Sequence, residues 1–173
     1  NAIAHVVARS GIGVYRSYGG PKTGTPENVM TTEYEYTNLY DRSEQWDFSR
    51  YTPQVVCINL GTNDLSTNNY DVKLLKQAYK KFLRQVRQHN PKAKIVYLCG
   101  SMLVGKELEI AKKTLNEVVE EAKKEGDQEV YRFDFTPQNG DICYGASWHP
   151  SYWQHQKMAG ELTAFLRSLM RWF

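Results

Sequence analysis

Short apolar runs alternate with amphipathic helical patterns through most of this chain, and that alternation constrains the fold more than any other feature. The runs cover residues 2–8, 55–60, 94–99 and 129–133, and they are rich in Val and Ile. Runs this short, apolar throughout and separated by helices, are the pattern of strands buried on both faces of a parallel sheet. Three helical stripes accompany them. Val72, Leu75, Tyr79, Phe82 and Val86 recur at steps of three and four, with Lys73, Lys76, Lys80, Lys81 and Arg84 on other faces. Leu108, Ala111, Leu115, Val118 and Ala122 form the second stripe, and Met158, Leu162, Phe165 and Leu169 the third. Parallel strands need crossover helices, so the predicted fold is α/β: a three-layer α/β/α sandwich around a parallel sheet. Residues from about 14 to 53 carry neither period. They hold Gly19-Gly20-Pro21, Gly24, Pro26 and several tyrosines, which predicts a long ordered loop with one short helix.

The totals narrow the function classes. A chain of 173 residues fits one domain, residues 1–173. Its net charge of +3, with both signs interspersed, lacks the dense basic stripe of a nucleic-acid binder. No apolar run approaches the roughly 18 residues of a membrane helix, so no membrane span is expected. Cys57, Cys99 and Cys143 form no CxxC and no pairing framework. Cys57 and Cys99 sit in apolar runs and read as small buried hydrophobes. Twelve tyrosines and four tryptophans hint at a surface suited to flat ligands such as sugars. The lysine-rich helix faces read as solvated surface.

Three places carry chemistry. The run at 55–60 ends in Gly61-Thr62-Asn63-Asp64. Ligands bind at that carboxyl edge in open α/β sheets, and the Asn63 amide is a donor for a developing oxyanion. Taken alone, the same tetrapeptide also describes a polar turn. His149, in Gly145-Ala146-Ser147-Trp148-His149-Pro150-Ser151, lies on a loop before the last helix, where an imidazole can act as general base. A lone histidine is also a common structural residue. His5, His89 and His155 have no such surroundings. Ser10-Gly11-Ile12-Gly13 follows the first run, and its glycines let backbone N–H groups approach a ligand. It lacks the third glycine or the Lys-Ser/Thr of a nucleotide site.

In this order, the three blocks resemble those of the SGNH (GDSL-like) hydrolase superfamily. Gly61-Thr62-Asn63-Asp64 and His149-Pro150 match two of them directly. Ser10-Gly11-Ile12-Gly13-Val14-Tyr15-Arg16 and Trp148-His149-Pro150-Ser151 are similar to the carbohydrate esterase family 2 branch, the acetyl xylan esterases. The resemblance implies a flavodoxin-like fold and removal of acetyl groups from polysaccharides or oligosaccharides of xylan or mannan type. It implies His149 as catalytic base, with Asn63 and the Gly11 N–H (Gly13 as second choice) in the oxyanion hole. Such a site uses no metal and no cofactor. Tyr15, Tyr144 and Trp148 become the expected sugar contacts, joined by Tyr152 and Trp153.

The sequence departs from the family in two informative ways. A Gly-Asp-Ser block is absent from the 173 residues, and no serine present replaces it. The resemblance therefore implies that an N-terminal segment of the same protein carries the nucleophile and the first strand, and that this chain starts at the second strand. The aspartate that usually precedes the histidine is also missing, since Ala146 and Ser147 stand there. A backbone carbonyl, that of Trp148 or a neighbour, is the expected partner of the ring, with Asp141 as an alternative. The substrate class implies a secreted or periplasmic protein. Rival readings are an SGNH esterase for another acyl ester and a carbohydrate-binding module without activity.

Overall fold

The apolar runs predict parallel pairing, and the computed structural model, which describes residues 2–38 and 40–172, contains it. In chain order the elements are α1 (Met30–Glu33), β1 (Tyr36–Asn38), β2 (Asp41–Gln45), β3 (Val55–Ile58), α2 (Thr62–Leu65), α3 (Val72–His89), β4 (Lys94–Cys99), α4 (Gly105–Lys124), β5 (Val130–Asp134) and α5 (Tyr152–Met170). Short 3-10 turns stand at Phe48–Arg50 and Ala146–Trp148. A three-stranded sheet runs in the order β3-β4-β5. β4 and β5 pair in parallel from Ile95 opposite Val130 to Cys99 opposite Asp134.

The chain packs as two compact units, Asn1–Val56 with Leu60–Ala93, and Cys57–Asn59 with Lys94–Phe173. In the first, α3 buries Leu75, Tyr79, Phe82 and Val86 of the stripe read from the sequence, together with Leu83, while Val72 at its N-terminal end is exposed. Asp71 caps it by accepting from the N–H groups of Lys73 and Leu74, at 2.8 and 3.2 Å. Such a cap contributes about 1 kcal/mol. Arg87 and His89 suit the negative end of the helix dipole. In the second unit, α4 packs on β4 and β5 and buries Leu108, Ala111, Leu115, Val118 and Ala122. Each large apolar side chain so buried contributes roughly 1.5–3 kcal/mol.

Three expectations need correction. Residues 2–8 do not form a strand. They carry no ladder partner among the described residues, and Ile3 and Val6 are 85% and 77% exposed. Side chains hold this segment instead: Tyr51 donates its hydroxyl to the Ile3 carbonyl, and the His5 ring lies against Trp46 and Tyr51. The predicted loop contains the antiparallel pair β1–β2 as well as the short helix α1. Its strands are polar on both faces and mostly exposed, so they give no period-two apolar signal. Cys57 is exposed, not buried, on β3, an edge strand among the described residues; Cys99 is buried, and burial pushes its thiol up to about 11.

The third helical stripe forms α5, but Met158, Leu162, Phe165 and Leu169 are only half-buried, and Gln154 is the one residue of the helix assigned as buried. No helix among the described residues is long and apolar enough to cross a membrane.

Candidate active site

In the first unit the site is built where β3 gives way to α2. Gly61 stands at the N-cap of α2 with φ 102°, a left-handed conformation that glycine adopts without a Cβ penalty. Tyr79 reaches this turn from α3 and donates its hydroxyl to the Leu60 carbonyl at 2.8 Å. A Cβ on Gly61 would lie 2.4 Å from that hydroxyl, so the glycine answers to space as well as to φ. Asn63 follows on the first turn, and its side-chain N–H donates to the Ile12 carbonyl at 2.7 Å. The amide carries two hydrogens, so one remains for another acceptor.

Next to it, Asp64 is fully buried. Its carboxylate accepts from three successive backbone N–H groups, those of Val14, Tyr15 and Arg16, at 2.9 to 3.1 Å. Burial raises the carboxyl pKa, and these amide bonds oppose the rise. Arg16, also fully buried, spends its guanidinium on carbonyl oxygens of Asp64, Gly20, Thr67 and Asn69 and on the Thr67 hydroxyl. The loop that carries Gly11 and Gly13 is thereby tied to the turn of α2 that carries Asn63 and to the residues just after it. Neither glycine N–H has a hydrogen-bond partner among the described residues. Tyr15 is buried with its hydroxyl accepting from the Asp71 N–H at 2.9 Å. Its ring lines a cleft of about 500 Å³, with Thr25 and Pro26 on one side and Leu74, Gln77 and Lys81 of α3 on the other.

The second unit holds His149. Ser147 and Trp148 before it both adopt positive φ, 51° and 63°, which costs about 1–2 kcal/mol per residue. Surrounding bonds hold the turn. Gly145 N–H donates to the His149 carbonyl at 2.7 Å, His149 N–H to the Ala146 carbonyl at 3.1 Å, and Gln138 Nε2 to the Trp148 carbonyl at 2.7 Å. Ser151 donates its hydroxyl to the Ile142 carbonyl and accepts from Gln154 N–H as the cap of α5. The result places His149 Nδ1 3.0 Å from the Ala146 carbonyl. A carbonyl oxygen only accepts, so Nδ1 carries the proton and Nε2 presents a lone pair. The expected backbone partner is thus Ala146, while the Trp148 carbonyl is engaged by Gln138. Asp141 is bonded to Asn139 instead. Tyr144 and Trp148 are exposed and meet edge to face at 5.2 Å, and Tyr152 and Trp153 form a second exposed pair at 5.1 Å. No group of three or more His, Cys, Asp or Glu side chains gathers as metal ligands would among the described residues.

This geometry meets an independent finding, a match of residues 2–157 to the model of the GDSL-like lipase/acylhydrolase family. The chain belongs to that family. The match contains Gly61-Thr62-Asn63-Asp64 and His149-Pro150, the blocks on which the resemblance rests. The cellulase/esterase CelE of Acetivibrio thermocellus is 42% identical over 172 residues, which is 99% of this chain and 20% of that protein. An acetylxylan esterase / glucomannan deacetylase of Cellvibrio japonicus is 30% identical over 99% of this chain and 46% of its own length. A family two carbohydrate esterase from Clostridium thermocellum, solved in complex with cellohexaose, superposes with a TM-score of 0.87 at 41% identity. That superposition covers 94% of this chain and 49% of the other. This chain therefore spans less than half the length of these relatives. Its parallel sheet and helices match the SGNH hydrolase fold of the solved esterase.

Sequence reasoning singled out Asn63, Gly11 and His149, but missed what holds them. Asp64 stood inside the quoted block without a role, and its signal was adjacency to Asn63. Gln138 and the Ala146 carbonyl gave no signal, because neither belongs to a motif.

Proposed function

We propose that this chain is the histidine- and asparagine-bearing part of a serine esterase that removes O-acetyl groups from xylan- or mannan-type polysaccharides. An N-terminal segment of the same protein supplies the nucleophilic serine in this reading. The observation that carries it is the contact of His149 Nδ1 with the Ala146 carbonyl: with Nδ1–H donating there, Nε2 of the neutral ring is free to take a proton. The serine oxygen attacks the acetyl carbonyl and His149 takes its proton. The Asn63 amide and the Gly11 N–H hold the oxyanion, and His149 then returns the proton to the leaving sugar oxygen. Water repeats the sequence on the acetyl-enzyme and releases acetate. The pair works as a dyad, with a neutral carbonyl orienting the ring. Similarity to the acetylxylan esterase / glucomannan deacetylase supports the substrate class. In this reading the protein is secreted or periplasmic, since that is where such polysaccharides are met.

The exposed Tyr144–Trp148 and Tyr152–Trp153 pairs favour a second reading, carbohydrate binding without turnover. One experiment separates the two. Acetate release from acetylated xylan and glucomannan is measured for the full-length protein and its His149→Ala variant, and a fluorophosphonate label is located by peptide mass spectrometry. Acetate release lost in the variant, with the label on a serine outside this chain, is the expected result. Absence of acetate release, with calorimetric binding of unsubstituted oligosaccharides retained, supports the binding reading. A label on a serine within the 173 residues overturns the assignment of the nucleophile.

A further inference from the structure

We propose that Asp64 is the positioning residue of the oxyanion hole, acting on Asn63 through the backbone of residues 12–16. The inference rests on the esterase reading and adds a residue to it. Asn63 donates one side-chain hydrogen to the Ile12 carbonyl at 2.7 Å, so the position of that carbonyl fixes the rotation of the amide and the direction of its second hydrogen. What fixes the Ile12 carbonyl is the question.

The answer lies two residues on. The N–H groups of Val14, Tyr15 and Arg16 all point at one carboxylate, that of Asp64. Three successive amides aimed at one anion make a nest, a rigid concave unit of backbone. Gly13 lies between Ile12 and this nest, in direct contact with it. A Cβ there would fall 2.6 Å from Asp64 Oδ2 and 2.1 Å from the Arg16 carbonyl, so only glycine lets the loop close on the carboxylate. The tie also runs in reverse, because Arg16 Nε donates to the Asp64 carbonyl at 2.8 Å. The guanidinium makes no bond to the Asp64 carboxylate and bridges instead to carbonyls at Gly20, Thr67 and Asn69. Asp64 is thus held by backbone amides on one side of its peptide and by Arg16 on the other. Asn63, its chain neighbour on the same turn of α2, inherits that placement.

The three backbone donors favour the ionised carboxylate of Asp64 and work against burial, which raises its pKa. An asparagine there keeps one carbonyl oxygen but turns an NH2 group toward backbone N–H groups, donor against donor. The nest opens, the Ile12 carbonyl moves, and the second Asn63 hydrogen loses its aim. Oxyanion donors act mainly in the transition state, so the loss falls on kcat and spares KM.

The test is a double-mutant cycle in the full-length protein. Asp64→Asn should lower kcat for acetate release about 10- to 100-fold with KM changed less than about threefold, against the 10²–10³ typical of removing an oxyanion donor outright. In an Asn63→Ala background the same change should cost less than about threefold, since the group it positions is gone. Additive losses overturn the proposal, as does an unchanged kcat. An inactive parent protein, or a fully active His149→Ala variant, would instead refute the esterase reading. If Asp64→Asn does not fold, hydrogen exchange of the Asn63 side-chain amide in the parent protein decides. Slow exchange of one hydrogen of the pair supports the proposal, and two hydrogens exchanging at the rate of an exposed asparagine overturn it.

Discussion

In the proposed reaction His149 is a base set without an acid. In a triad, a carboxylate orients the imidazole and stabilises its charged form. Here the Ala146 carbonyl orients the ring, and no carboxylate among the described residues bonds to it. A neutral carbonyl fixes the tautomer but offers less to the imidazolium, so placement of the turn carries more of the burden. That placement depends on Gln138, which is buried and donates to the carbonyl of the strained residue Trp148. Gln138→Leu leaves that carbonyl without its donor, a loss of about 1 kcal/mol for a neutral hydrogen bond. We expect kcat for acetate release to fall by up to about fivefold, the limit in which the whole of that loss falls on the transition state. Asp141→Asn should leave both kcat and its pH profile unchanged, because Asp141 is engaged with Asn139. A drop in kcat for Asp141→Asn, or a shifted acid limb, would return Asp141 to the role of ring partner.

At the scale of elements, the turn from β3 into α2 depends on a contact from α3. Gly61 is held at φ 102° with the Tyr79 hydroxyl where its Cβ would be. Gly61→Ala should therefore be destabilising twice over, by about 1–2 kcal/mol from the left-handed backbone and by about 1–3 kcal/mol from overpacking. Tyr79→Phe removes the obstructing oxygen and the bond to the Leu60 carbonyl, and alone costs about 1 kcal/mol. The double variant should then be more stable than the sum of the two changes predicts, by about 1 kcal/mol or more. Urea midpoints of the four proteins measure this coupling, and strict additivity would show that the backbone strain acts alone. The same turn marks how far the sequence was legible. Gly61 and Asn63 stood in a readable block, and α3 announced Tyr79 through its apolar period. The contact between them joins residues far apart in the chain, and no local period encodes it. For the same reason residues 2–8 read as a strand: Val and Ile report that a segment suits a strand, while a ladder needs a neighbour that the segment itself does not specify.

Stability belongs to the whole chain, and part of its pH dependence traces to Glu33. This side chain is 1% exposed. Burial pushes its pKa up, but Arg42, the Asn28 N–H and the Thr32 hydroxyl outweigh that effect and hold it below the ordinary value. The folded state therefore gives up this proton more readily than the unfolded chain does. Its contribution to stability is complete above the unfolded pKa of about 4.3, and is lost as pH falls through the lower folded value. Arg42→Ala removes the strongest of the opposing bonds while leaving the burial, so the folded pKa should rise and the acid limb of stability should move to higher pH. The melting temperature of the variant should lie below that of the parent at neutral pH, by roughly 2–4 °C for each kcal/mol lost in a chain of this length. The gap should close as the pH drops and Glu33 becomes protonated in both proteins. A gap that stays constant from neutral to acid pH would mean that Arg42 stabilises β2 by packing over Tyr36, where its guanidinium lies 6.0 Å from the ring centroid, and that its charge does not matter to Glu33.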